Sequence, residues 1–306
     1  MKKVLIIAGG YSKEREISIL TAKSVFKELK KNNKYKIKIS EPNGNFVKEL
    51  RIYKPDLVFN LLHGRYGEDG YIQAILEAEK IKYTHSGVLS SSLAIDKELS
   101  KKIFIKNNIL TPKYHKFIFR KNINKKKIIS MIEKKLKFPV VIKPINEGSS
   151  VSVYICNKSN FIKNLFKLKN YNEVLIEKYI PGREIQVAIL KNKKLGAIEL
   201  KPKRKFYDYD AKYNPKAKTE HIIPVKISKQ NYEKVTDIAL KAHKLLKCRG
   251  VTRSDFRFYK KRFYLLEINT QPGMTSLSLV PEIAKYNNIT FNQLIEKIID
   301  DASINK

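Results

Sequence analysis

Apolar residues along this chain recur with two different periods. Residues 4–8, 35–39 and 56–62 are short apolar runs bounded by polar or glycine positions, as buried strands are. Between the first two, residues 14–30 put Ala22, Val25, Phe26 and Leu29 on one side at helical spacing, and residues 71–79 repeat that spacing after a glycine-rich loop. Alternating strands and helices predict a parallel sheet covered on both faces, which makes residues 1–95 a doubly wound α/β domain.

The pattern then changes. A helix over 99–107 precedes apolar runs at 114–119, 138–144, 151–156 and 174–180, which predict an antiparallel sheet with one or two helices over residues 96–180. Lysine-rich residues 121–127 read as a turn. Pro181-Gly182 marks a boundary, and residues 181–306 form a third unit. It opens with a hairpin of 184–190 and 195–200. A helix over 232–247 follows, with Val235, Ile238, Ala239, Ala242, Leu245 and Leu246 facing a core. A second hairpin turns at Lys260-Lys261, and a last helix spans 291–299. The fold class is α/β joined to α+β, one parallel-sheet domain followed by two units built on antiparallel sheets.

A chain of 306 residues suits two or three domains. A mean hydropathy of -0.39 and the lack of any apolar run near twenty residues argue against a membrane span. Lysines at the start followed by residues 4–8 imitate a signal peptide, but the apolar stretch is too short. Two cysteines, Cys156 and Cys248, have no metal-ligand spacing and suit a reducing cytoplasm. The net charge of +34 raises the question of nucleic acid. Only ten of the 63 basic residues are arginine and the lysines are spread over nearly every segment, which fits a solvated surface better than a base-reading patch. Such a field still attracts anionic substrates.

Candidate chemistry concentrates in the second hairpin. Arg253, Asp255 and Arg257 share one face of their strand, Glu267 and Asn269 share one face of theirs, and closure at Lys260-Lys261 brings Asp255 close to Glu267. Oxygen donors so grouped suit a hard cation such as magnesium holding phosphates, although a hairpin with a wet polar face accounts for either carboxylate taken singly. Glu147-Gly148-Ser149-Ser150 is a small-residue loop able to approach a triphosphate with its backbone amides. Lys97, Lys143 and Lys178 stand at the edges of elements, with Glu177 and Glu184 nearby. His63, at the carboxyl end of the third strand, and Glu14, after the first, occupy the places where open α/β sheets bind ligands. Residues 206–213, with four aromatics in eight positions, suit a lid or a base-stacking platform.

Five motifs in order resemble the D-alanine:D-alanine ligase family of the ATP-grasp superfamily. They are Gly-Gly-x-Ser-x-Glu-Arg-Glu at 9–16, His-Gly-x-x-Gly-Glu-Asp-Gly at 63–70, Glu-Gly-Ser-Ser at 147–150, Tyr-Asp-Tyr-Asp-Ala-Lys-Tyr at 207–213 and Glu-Ile-Asn-Thr-x-Pro-Gly-Met-Thr at 267–275. The resemblance implies ATP held between the second and third units, and ligation of two D-alanine molecules through an acyl phosphate for peptidoglycan synthesis. It also implies a homodimer, with neither nucleic acid nor membrane as partner. Carried onto this chain, Asp255, Glu267 and Asn269 would hold two magnesium or manganese ions. Lys97, Lys143 and Lys212 would contact phosphates, and Glu177, Lys178, Ile180 and Glu184 the adenosine. Arg253 and the Gly273 amide would face the oxyanion. Glu14 and His63 would hold the first D-alanine, Ser278 and the Leu279 amide the second. Glu14, Ser149 and Tyr213 would link the lid to the first domain. Tyr213 favours an amine acceptor over a hydroxy acid. Ser152 departs from the family, which usually has glycine there.

Overall fold

The computed structural model describes residues 1–148, 151–202, 219–275 and 278–304. Ser149, Lys212, Tyr213 and the rest of the 206–213 loop lie outside the described residues. In the first unit β1 (Lys2–Ile7), α1 (Arg15–Leu29), β2 (Tyr35–Ser40), α2 (Phe46–Tyr53), β3 (Leu57–Asn60), α3 (Tyr71–Ala78) and α4 (Val88–Ile95) follow one another. The three strands form a parallel sheet in the order β2-β1-β3. Alternate side chains of β1 enter different cores, as a sheet covered on both faces requires. Val4 and Ile6 pack with Ala22, Val25 and Leu29 of α1, whereas Leu5 and Ile7 meet Phe46 and Leu50 of α2 and Ile72 and Leu76 of α3.

The next stretch contains α5 (Lys97–Lys106), β4 (Tyr114–Ile118), α6 (Lys125–Leu136), β5 (Val140–Pro144), β6 (Tyr154–Cys156), α7 (Phe161–Lys167) and β7 (Glu173–Lys178). Its strands form an antiparallel sheet, β4-β7-β5-β6, packed against α6 and α7 through Ile128, Ile132, Phe161 and Leu165. Residues 125–127, expected in a turn, begin a helix. Asn124 caps it by accepting from the Lys127 amide at 3.0 Å, and Ile128, Ile132 and Leu136 supply one apolar face among the lysines.

The third unit runs through β8 (Arg183–Leu190), β9 (Lys193–Lys201), β10 (Glu220–Ile222), α8 (Lys229–Leu245), β11 (Val251–Tyr259), β12 (Arg262–Asn269), α9 (Leu279–Tyr286) and α10 (Phe291–Asp300). Its antiparallel sheet has the order β10-β9-β8-β11-β12. One face buries Ile185, Val187 and Ile189 against Val235, Ala239 and Ala242 of α8 and against Phe104 of α5. The other carries Ala188 and Ile198 into the core that holds Val4, Ile6 and α1, completed by Ile283 of α9 and Ile295 and Ile298 of α10. A continuous core therefore sets the third sheet firmly against the first.

Gly182, at the boundary before β8, has φ +109°, and a Cβ there would lie 2.3 Å from the Phe258 carbonyl oxygen. Its own carbonyl accepts from Arg257 at 3.0 Å. Gly182→Ala should lose about 2 kcal/mol or more of stability, read as a lowered midpoint in urea with unchanged slope. An unchanged midpoint would contradict the packing described.

Candidate active site

The second hairpin closes where its pattern predicts. Lys260 and Lys261 form the two-residue turn with φ of 47° and 58°, values that match the twist of the flanking strands. Asp255 stands opposite Glu267 and Arg253 opposite Asn269, while the register slips between Asp255 and Phe256. Leu266 is the extra residue of that bulge, so Leu266 and Glu267, although consecutive, both line one cleft. The Arg253 guanidinium forks onto Asp255, 2.8 Å to Oδ1 and 3.1 Å to Oδ2. Asn269 Oδ1 accepts from the Gln271 amide at 2.7 Å.

The opposite wall of the cleft comes from β5, β7 and α5. Lys97, Lys143, Glu177, Lys178 and Ile180 line it, facing Glu184, Asp255, Arg257 and Glu267 of the third sheet. Lys97 Nζ donates to the Glu147 carbonyl at 2.6 Å and lies 3.5 Å from Glu267 Oε2, which ties the glycine-serine loop to the hairpin. Lys143 pairs with Glu177 Oε2 at 2.9 Å, and Lys101 pairs with Oε1 of the same carboxylate at 2.9 Å. Lys178 Nζ donates to the carbonyls of Lys137 and Phe138 at 3.0 and 3.4 Å. Glu184 faces Arg257 across the strand pair, its Oε2 3.6 Å from Nη2.

Three buried charges set the electrostatics of this wall. Burial raises the Glu177 carboxyl, but Lys101 and Lys143 outweigh it and hold the group below its ordinary value. Burial lowers Lys143, yet Glu177, Glu267 and Asp255 hold it above the usual lysine value. For the wholly enclosed Lys101 burial wins over Glu177, and its pKa falls to about 8.

At the edge of the first sheet, Glu14 and His63 are both buried. A Cβ on Gly148 would stand 2.9 Å from a Glu14 carboxylate oxygen, so the absence of a side chain there lets the loop lie against Glu14. His63 Nδ1 is 3.2 Å from Glu68 Oε1. Burial lowers the imidazole, but the hydrogen bond and charge of Glu68, with Glu14 behind it, raise it above 6.5 overall. Gln271 Nε2 donates to the Leu62 carbonyl and joins the turn after β12 to this edge. In that turn Gly273 lies beside Ser278, whose Oγ accepts from the Thr275 amide at 3.1 Å. Ser152 has φ +59°, in the left-handed region that favours glycine. Its hydroxyl lies 3.4 Å from Tyr171 Oη, which also accepts from Lys13 at 3.3 Å.

Eight of the residues expected at the site thus share one cleft, with Arg253 and Asn269 next to them by register. Glu14 and His63 adjoin the loop at one side, and Gly273 with Ser278 form a separate turn. Two carboxylates and an amide oxygen on one sheet face fit a hard divalent cation. Among the described residues no cluster of three or more His, Cys, Asp and Glu side chains offers a metal site, so a cation here relies on this mixed set. Lys101 escaped the sequence reading. Asp96, whose side chain accepts from the Glu98 and Leu99 amides, marks the true start of α5 and places Lys97, Ser100, Lys101 and Phe104 on its buried face.

The family model described as "D-ala D-ala ligase C-terminus" matches residues 103–300. A D-alanine–D-alanine ligase from Pelagibacter ubique is 67% identical over 305 residues, covering 100% of this chain and 99% of its own length. Crystal structures of a D-alanine–D-alanine ligase from Bacillus anthracis superpose with a TM-score of 0.87 at 35% identity, and 0.84 at 32% identity in complex with ATP. Each covers 98% of this chain and 97% of the compared one.

The His63 assignment predicts a ring titration, followed by NMR, with a midpoint above 6.5. A raised value means that proton binding favours the folded state. This contribution is complete below pH 6.5 and fades as pH climbs through the folded-state midpoint. Glu68→Gln should bring the midpoint down, because burial then meets less opposition. A midpoint indifferent to that change would contradict the pairing.

Proposed function

The chain belongs to the D-alanine:D-alanine ligase family, and from that premise and the geometry of the cleft we propose that it joins two D-alanine molecules at the expense of ATP, for peptidoglycan precursor synthesis. The observation that carries this reading is the meeting of Lys97, Lys143 and Glu177 with Glu184, Asp255 and Glu267 in one cleft between two antiparallel sheets. Cations there suit a triphosphate, and the facing carboxylates suit the ions that accompany it.

The carboxylate of the first D-alanine is a poor electrophile because its oxygen is a poor leaving group. It attacks the γ-phosphorus of ATP, ADP leaves, and the carboxylate becomes an acyl phosphate. The amine of the second D-alanine adds to the carbonyl carbon, loses a proton, and expels inorganic phosphate as the peptide bond forms. Asp255, Glu267 and Asn269 would hold magnesium or manganese, whose charge offsets that of the phosphates.

The remaining assignments follow the family resemblance. Lys97, Lys143 and Lys212 hold phosphates; Glu177, Lys178, Ile180 and Glu184 surround the adenosine. Arg253 and the Gly273 amide face the oxyanion of the tetrahedral intermediate. Glu14 and His63 orient the first D-alanine, Ser278 with the Leu279 amide the second, and Glu14, Ser149 and Tyr213 link lid to first domain. Three domains, 1–95, 96–180 and 181–306, a homodimer and a cytoplasmic setting complete the reading. None of the helices described is long and apolar enough to cross a membrane.

Purified protein given ATP, magnesium and D-alanine should release phosphate and D-alanyl-D-alanine in equal amounts, and should form no depsipeptide with D-lactate. Silence with D-alanine at several pH values would sink the proposal. Glu267→Gln should lower kcat about 100-fold or more, on the scale of lost metal-site partners. Wild-type turnover in that variant would show the cation site to be wrongly placed.

A further inference from the structure

We propose that Lys101 is a positioning residue for nucleotide binding, acting through Glu177 to hold the Lys143 ammonium in place and to keep it positively charged toward the cleft. The inference rests on the assignment of Lys143 to the phosphates.

Helix α5 buries the positions Lys97, Ser100, Lys101 and Phe104, spaced as one helical face. Phe104 fills the core of the third sheet, and Lys97 emerges in the cleft. Lys101, one turn beyond Lys97, is 0% exposed and does not reach the cleft surface. An ammonium group in that position is costly to bury, and a methionine or leucine would pack there more cheaply. What the charge does is visible in its partners. Nζ lies 2.9 Å from Glu177 Oε1 and donates to Thr111 Oγ1 at 3.2 Å. Glu177 gives its second oxygen to Lys143 at 2.9 Å.

Glu177 thus divides one negative charge between two cations. Paired with Lys143 alone, it would neutralise the ammonium meant for phosphate and be free to rotate. Held from behind by Lys101, its carboxylate is fixed in orientation, and the three groups carry a net charge of one positive unit, directed at an incoming anion. The lowering of the Lys101 pKa to about 8 by burial accords with a charge retained at a cost. The other charged groups acting on Lys101 are Lys143 and Glu267, from β5 and β12.

Steady-state kinetics on the full-length enzyme test this. Lys101→Met should raise the KM for ATP about tenfold or more, the scale of one hydrogen bond to a charged group, while kcat at saturating ATP stays within about threefold. Because the effect runs through Glu177, the double variant Lys101→Met/Glu177→Gln should show the same KM as Glu177→Gln alone. A wild-type KM in Lys101→Met, or a double variant that loses affinity beyond Glu177→Gln, would overturn the proposal. Should Lys101→Met prove insoluble, Lys101→Gln, which removes the charge and keeps a hydrogen-bond donor toward Glu177, is read on the same KM scale, and a wild-type KM there overturns the proposal equally. Lys143→Met separates the two layers of inference. If it leaves the KM unchanged, the phosphate assignment fails. If it raises the KM and Lys101→Met does not, only the role of Lys101 falls.

Discussion

Backbone pairing of β11 with β12 on one side and β8 on the other is the constraint on which the site depends. It sets Asp255 opposite Glu267, Arg253 opposite Asn269 and Arg257 opposite Glu184, so that acidic, basic and amide side chains are gathered on a single face. Two carboxylates brought that close repel one another unless a cation lies between or beside them. In the structure Arg253 forks onto Asp255 and Lys97 stands by Glu267. The hairpin therefore depends on the lysine-bearing helix and on the middle sheet, which is why the site lies between the units and within neither.

The same logic extends outward. Glu177 is shared by two lysines from different elements, and the glycine-serine loop leans on Glu14 of the first unit while its Glu147 carbonyl is held by Lys97 of α5. Each unit gives at least one group to a contact that another unit completes. The apolar core that runs from β1 and α1 through β8 and β9 to α9 and α10 supplies the rigidity that such contacts need. Side chains around a phosphoryl transfer act by position and charge, so a rigid frame matters more than any single partner.

Much of this was readable from the chain because the decisive hairpin obeys a period of two and announces its own turn. The parallel first sheet and the helices 15–29 and 291–300 were equally plain, since their apolar positions keep one spacing. Other parts gave a misleading pattern. In α5 the buried face holds two lysines and a serine, so hydrophobic periodicity places its start late and leaves Lys101 among the many lysines that a solvated surface accounts for. Helix α6 opens with three lysines, a run that suits a turn, and only the Asn124 cap marks its start. Burial of a charged residue is decided by partners distant in sequence, as Glu177 is from Lys101, and no local pattern encodes it.

Diffraction from crystals grown with manganese and an unreactive ATP analogue, collected for the anomalous signal of the metal, tests the central claim most directly. Peaks in direct contact with oxygens of Asp255, Glu267 and Asn269, with the phosphates between them and Lys143, are the result this account predicts. Peaks elsewhere, with Arg253 still closed on Asp255 and the analogue outside the cleft, would contradict it.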